Sequence, residues 1–329
     1  MQIRRAVGAA AAAVIVASVA GCSSDSDNDS GGESGGDTSI VVEFPEALPG
    51  DVIALRAGGD DSSMVEWIDR RAGTIRSLDL ATGDPSEDDI ATLASIEVGI
   101  DGEQRGLLGH TVIDGVRYAA WTDPDTEHLV VGALSPAGSD GSPATVDRIV
   151  WDAGGTAGGA VGGHLEATPD GALILGIGQL TDWAKAHGGG AMLQLDPLGP
   201  ADQEPVVLSD GYINPFAFAV VDNRLWVADN AVGDDTERIG VVDLSPGSER
   251  TDRATLDATG SAPRAPSAIV ALPDDDMAVC GFLDAQLRRW TPDPPGYGDD
   301  LGPCLTGAIV LSDGTIVTAT ADGLVAISP

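Results

Sequence analysis

The chain of 329 residues has little positive charge to spend: 17 Lys and Arg stand against 52 Asp and Glu, and Lys185 is the sole lysine. A formal net charge of −35 excludes nucleic acid as a partner, because no basic patch is available to neutralise phosphates. It excludes electrostatic docking on anionic lipid for the same reason. Cysteine is scarce too, with only Cys22, Cys280 and Cys304, so a disulfide-rich miniprotein is ruled out. Long segments with a 3.6-residue apolar period are missing, which argues against a helical bundle. Also missing are G-x-S-x-G, H-E-x-x-H, C-x-x-C and a phosphate loop; the Gly-rich run 154–163 lacks the Gly-Lys-Ser/Thr ending. The four histidines, His110, His128, His164 and His187, are too scattered to define a metal site by spacing.

The N-terminus carries an address. Arg4-Arg5 is followed by an apolar run from Ala6 to Ala20 that is short for a membrane-spanning helix and suits a secretory leader. Val19-Ala20-Gly21-Cys22 has the form of a lipobox, in which Cys22 is acylated and becomes the new N-terminus; the alternative is an ordinary leader with a chance Cys. Residues 1–21 are thus expected to be a lipoprotein signal and residues 22–39, rich in Ser, Asp and Gly, a flexible tether. The folded part, 40–329, is then expected outside the cytoplasmic membrane, lipid-anchored to the membrane's outer face and touching it only through that anchor. Export permits a disulfide between Cys280 and Cys304, with two buried free thiols as the competing reading. The leader takes away two Arg and no acid, so the mature chain is more acidic still. Solubility in a salty medium explains that surplus, as does cation binding.

What remains is punctuated by turns. Among the 44 Gly and 20 Pro lie short apolar runs such as Leu173 to Ile177, Leu225 to Ala228, Ile309 to Leu311 and Leu324 to Ile327. Such runs bounded by Gly, Asp, Asn and Pro read as strands. Asp114-Gly115, Asp170-Gly171, Asp222-Asn223, Asp274-Asp275 and Asp313-Gly314 recur ahead of short hydrophobic segments, and an earlier turn lies near Gly58 to Asp61. Asp-Gly and Asp-Asn suit hairpins because those positions take positive φ. Six units predict an all-β chain, a six-bladed β-propeller of four-stranded antiparallel blades, closed by pairing the last strand with residues near Ile40 to Phe44. The six tryptophans are read either as packing between blades or as stacking platforms for sugar rings.

Several segments, in order, resemble the soluble PQQ-dependent glucose/sorbosone dehydrogenases. Gly102-Glu103-Gln104-Arg105-Gly106-Leu107-Leu108-Gly109 is similar to that family's Gln-x-Gly-Leu-Leu-Gly. Gly162-Gly163-His164-Leu165 with Pro169-Asp170-Gly171-Ala172-Leu173 follows its Gly-Gly-x-Leu and Pro-Asp-Gly-x-Leu. Met192 to Pro197, Gly211-Tyr212-Ile213-Asn214-Pro215, Leu225 to Asp229 with Gly233-Asp234-Asp235, and Ala265 to Ala268 continue the order to about residue 290.

The resemblance implies a sugar oxidoreductase in which a His takes the hydroxyl proton while hydride passes to PQQ, with calcium polarising the quinone. It places Gln104 and Asn214 at the cofactor and Asp229, Asp234, Asp235 and Glu237 as calcium ligands. The residues depart from the pattern where it matters. The family's catalytic His falls on Ala160, leaving His164 as a stand-in base; the family's Arg before Asn-Pro is Ile213, and the Gln after it is Phe216. Basic residues expected after the fifth-blade strand fall near Leu283 and Asp284. PQQ carries three carboxylates, and an anion buried without cations is costly. The expectation is therefore a dehydrogenase-like propeller with weakened or lost activity. The alternatives are a non-catalytic propeller that binds a saccharide, another small ligand or a protein, and a metal-dependent lactonase-like propeller using Asn214 and Asp229.

Overall fold

The structure, a computed structural model, describes residues 38–43, 51–58, 63–82, 86–101, 104–156, 161–179, 181–230, 237–256, 265–273, 275–293 and 295–328. The leader, the lipobox with Cys22, Ala160, Asp234 and Asp235 lie outside them.

Six four-stranded antiparallel sheets form a six-bladed propeller. Blade I runs from Val52 to Ser95, blade II from Leu107 to Thr156, blade III from Gly162 to Tyr212, blade IV from Ala217 to Leu256 and blade V from Pro266 to Pro303. Blade VI joins three C-terminal strands, from Gly307 to Ile327, to the first strand of the chain, Thr38–Glu43. That first strand pairs antiparallel with Gly323–Ile327, Thr38 opposite Ile327 and Glu43 opposite Gly323, so the two ends of the folded chain close the ring. The pairing covers the edge of Gly323–Ile327 and ties the first strand of the folded chain into the last blade.

The core is divided among the gaps between blades. Six buried clusters map one to each neighbouring pair; for example, Ile53, Ile68 and Ile75 of blade I meet Leu107, Trp121 and Val130 of blade II. In the gap that closes the ring, Leu55 and Trp67 of blade I meet Ile309 and Val317 of blade VI. Because each sheet is covered on both faces, its strands read as continuous apolar runs and not as alternation: every residue of Leu173–Ile177 is buried. Five tryptophans are buried in these gaps, and Trp226 packs edge-on against Trp290 at 5.4 Å.

Turn chemistry follows the backbone. Asp114-Gly115 and Asp222-Asn223 both hold positive φ at two successive residues, as two-residue hairpins require. Asp170-Gly171 and Asp313-Gly314 instead sit in wider turns, where Gly171 N–H bonds to Thr168 O and Gly314 N–H to Leu311 O. Among the described residues one α-helix, Asp182–His187, interrupts the strands of blade III; Thr181 caps its start by accepting from Ala184 N–H, and Gly188 ends it in the left-handed region. Cys280 and Cys304 are bonded within blade V and its exit, their Cα atoms 5.6 Å apart. Both sulfurs are buried in the gap between blades V and VI.

Candidate functional site: the axial cavity

Each blade leaves one strand at the end of its sheet nearest the axis: Val52–Ala57, Leu107–Ile113, Gly162–Ala167, Ala217–Val221, Pro266–Ala271 and Gly307–Val310. These inner strands hydrogen-bond to a sheet on one side only. They enclose a cavity of about 490 Å³ to which all six contribute. Inner strands approach closely where side chains are absent: a Cβ at Gly109 would collide with the Gly163 carbonyl and sit 2.6 Å from Leu165 N.

The wall has two unlike halves. Blades IV, V and VI contribute no ionisable side chain, offering Phe216, Phe218, Val220, Ile269 and Ile309, with Ser267 and Thr306 as the polar exceptions. Blades I and III contribute Arg56, His164 and Glu166. His164 Nε2 lies 3.2 Å from Glu166 Oε1, and the imidazole stands edge-on to the Phe218 ring at 4.7 Å. A carboxylate can only accept, so Nε2 carries the proton that faces Glu166.

Behind the charged half lies a buried ion cluster. Arg117 forks onto Glu66, donating at 2.7 and 2.8 Å to its two oxygens. Arg117 also donates to His110 Nδ1 at 3.1 Å. Arginine has no acceptor, so His110 Nδ1 must accept and the proton sits on Nε2. Burial, with Arg117, Arg56 and His164 adding positive charge, holds the His110 pKa well below its ordinary value. The 3.8 Å approach of His110 to Glu66 is therefore not an ion pair. Arg56 stands 3.6 Å from the same Glu66, and its Nη1 is buried without a hydrogen-bond partner among the described residues.

The sequence-expected residues divide around this cavity. His164 and Phe216 line it. Gln104 and Asn214 are brought together across 110 residues, Asn214 Nδ2 donating to Gln104 Oε1 at 3.1 Å. Asn214 Oδ1 also accepts from Gly162 N–H at 3.1 Å, so one buried amide ties the approaches to blades II, III and IV. Neither Gln104 nor Asn214 is part of the cavity wall.

Asp229 accepts from Ile213 N–H, Asn214 N–H and Arg238 Nη2 at 2.8 to 2.9 Å, with Arg250 at 3.6 Å. Burial pushes its carboxyl upward, against the opposite pull of those N–H donors and Arg238. Glu237 accepts from Ala265 N–H at 2.7 Å. Among the described residues, no group of three or more His, Cys, Asp or Glu is placed to hold a metal ion. Leu283 is exposed on the turn after the second strand of blade V.

Arg56, Glu66, Arg117, His110 and Glu166 were not singled out from the sequence. The available signal was a charged residue inside an otherwise apolar strand, as in Met64-Val65-Glu66-Trp67-Ile68.

No protein-family model matches the chain, and no curated protein matches it by sequence. Solved structures share its fold. They include the PQQ-bound form of an aldose sugar dehydrogenase from Streptomyces coelicolor, 17% identical, TM-score 0.65, over 90% of this chain and 99% of that one. Another is a family AA12 carbohydrate-active enzyme from Trichoderma reesei, 11% identical, TM-score 0.63, over 90% and 96%. A third is a gluconolactonase from Xanthomonas campestris, 10% identical, TM-score 0.54, over 86% and 88%. The likeness is one of fold.

The described residues do not fit a bound PQQ. A tricarboxylate needs several cations, whereas the cavity wall presents one, Arg56, already beside Glu66, together with the carboxylate of Glu166. Arg238 and Arg250, near Asn214, are committed to Asp229 and Asp252. Asp229 and Glu237, the described members of the expected calcium set, are engaged by backbone N–H groups.

Proposed function

We propose that the chain is an exported, lipid-anchored propeller that binds a small saccharide-like ligand in its axial cavity, with the quinone-dependent oxidation of the sugar dehydrogenases weakened or lost. The observation that carries this reading is the two-faced cavity wall. A pyranose has an apolar C–H face and a rim of hydroxyls, and the cavity sets Phe218, Val220 and Ile269 against His164, Glu166 and Arg56. Its volume, about 490 Å³, is in the range of small-ligand pockets. Sugar-related neighbours of the same fold support the ligand class. The anchor rests on Val19-Ala20-Gly21-Cys22.

The test is calorimetric titration of the mature chain with neutral aldoses and polyols, alongside a dehydrogenase assay with an artificial acceptor. Saturable binding without turnover is expected. The absence of any saccharide binding would overturn the reading. Mass spectrometry of the mature N-terminus should find Cys22 acylated; an unmodified Cys22 would remove the anchor.

One observation favours retained turnover as a second reading. His164 lines the cavity and is oriented by Glu166, as a general base would be. If turnover is found, His164→Ala should abolish it while leaving the unfolding midpoint unchanged. Activity that survives this change removes His164 as the base.

A further inference from the structure

Arg56 borders the cavity without a hydrogen-bonded carboxylate: its Nη1 stands 3.6 Å from Glu66 and has no hydrogen-bond partner among the described residues. Other arginines of the fold hold a carboxylate even where one N–H stays unused, as at Arg70 Nε and Arg238 Nε: Arg117 forks onto Glu66, Arg70 donates to Asp51 at 3.0 Å, Arg238 to Asp229 at 2.9 Å and Arg289 to Asp276 at 3.0 Å. Arg56 has only the 3.6 Å approach to Glu66, whose two oxygens are already occupied by the Arg117 fork. Its side chain borders the axial cavity. With its side chain 27% exposed at the cavity, this guanidinium can be reached by an acceptor that Glu66 does not supply.

Among the described residues Arg56 is the one Arg or Lys of the cavity wall, so the site can receive one carboxylate and not several. Arg56 and Arg117 are offset by Glu66 and Glu166, and the geometry leaves His110 neutral. Three carboxylates would overload this wall; one can be received at Arg56, while Glu166 is turned to His164 at 3.2 Å. The apolar half of the wall suits a C–H face.

We infer that the ligand of the axial cavity is a sugar acid, a saccharide bearing one carboxylate that docks on Arg56. This inference rests on the reading of the cavity as a saccharide site. Its specificity comes from the planar fork of arginine, which matches a carboxylate in two parallel hydrogen bonds.

The experiment is calorimetric titration of the mature full-length chain with D-glucuronate, D-glucose and D-glucose 6-phosphate, repeated on Arg56→Gln and Arg56→Lys. Glucuronate is expected to bind the wild type at least about tenfold more tightly than glucose, as one charge-assisted contact supplies. Arg56→Gln should erase that ratio, and Arg56→Lys should keep only part of it, because a point charge lacks the fork.

A wild-type protein that binds both sugars equally would overturn the inference and leave the saccharide reading standing. A preference for glucuronate that survives Arg56→Gln would do the same. Tighter binding of the phosphate than of glucuronate would overturn the carboxylate assignment. If no sugar binds, the reading of the cavity falls and the inference falls with it. The wild-type ratio stands independently of how well either variant folds.

Discussion

The two halves of the axial cavity are built from the same six-fold plan and differ in what their inner strands carry. On the side of blades IV to VI the strands are apolar, and their side chains continue the packing between blades. On the side of blades I to III the same positions hold Arg56, His164 and Glu166, backed by Glu66, Arg117 and His110. A propeller core needs only the first kind of strand. The second kind places paired charges where apolar residues would pack at least as well, which is a poor route to stability and a common mark of a binding site.

The sharpest way to break the comparison is to disturb each half. Glu66→Ala removes the acceptor of the Arg117 fork and, among the described residues, the one carboxylate within 4 Å of Arg56. Loss of about 3–5 kcal/mol in urea unfolding is expected, as for a broken buried ion pair. A change below about 1 kcal/mol would mean that solvent reaches the cluster, as it does at a surface pair.

Reduction of the Cys280–Cys304 bond, which closes a separation of 24 residues, should cost about 2–4 kcal/mol and leave ligand binding in place. Non-reducing mass spectrometry that finds two free thiols would contradict the bond.

Asn214→Ala should cost about 1–3 kcal/mol by leaving Gly162 N–H and Gln104 without their partner. Because Asn214 is outside the cavity wall, the same variant should keep sugar affinity within about twofold, well under the 1.4 kcal/mol that tenfold represents.

The smallest effect concerns pH. His110 is held neutral in the fold while an unfolded His protonates near 6.5, so the unfolded state binds the extra proton and stability falls as pH drops below that value. The slope contributed is at most about 1.4 kcal/mol per pH unit. His110→Asn should flatten the dependence of the unfolding free energy between about pH 6.5 and 5.5. An unchanged slope would show that His110 does not titrate differently on folding.

Much of the fold was legible before the structure. Asp114-Gly115 and Asp222-Asn223 marked hairpins, and the pairing of the last strand with the residues before Phe44 followed from the need to close a ring. The helix Asp182–His187 was not read, because six residues are under two turns and show no period, although Thr181 and Gly188 carried its capping signals.

The site was legible only in part. His164 was reached through a motif. Its partner Glu166 lies two residues on and emerges only because both side chains turn toward the cavity. The Arg117–Glu66 fork joins positions 51 residues apart in different blades, which no local pattern announces. Asn214 and Gln104 were singled out as cofactor residues and are found bonded to each other across 110 residues, a contact that local spacing does not announce.

The most direct test of the central claim is a titration of PQQ into the mature chain, with and without calcium, followed by tryptophan fluorescence. No saturable, calcium-dependent change is predicted, because one cation at the axis cannot hold three carboxylates. Calcium-dependent binding at micromolar concentration or tighter would contradict the account and return the cavity to quinone chemistry.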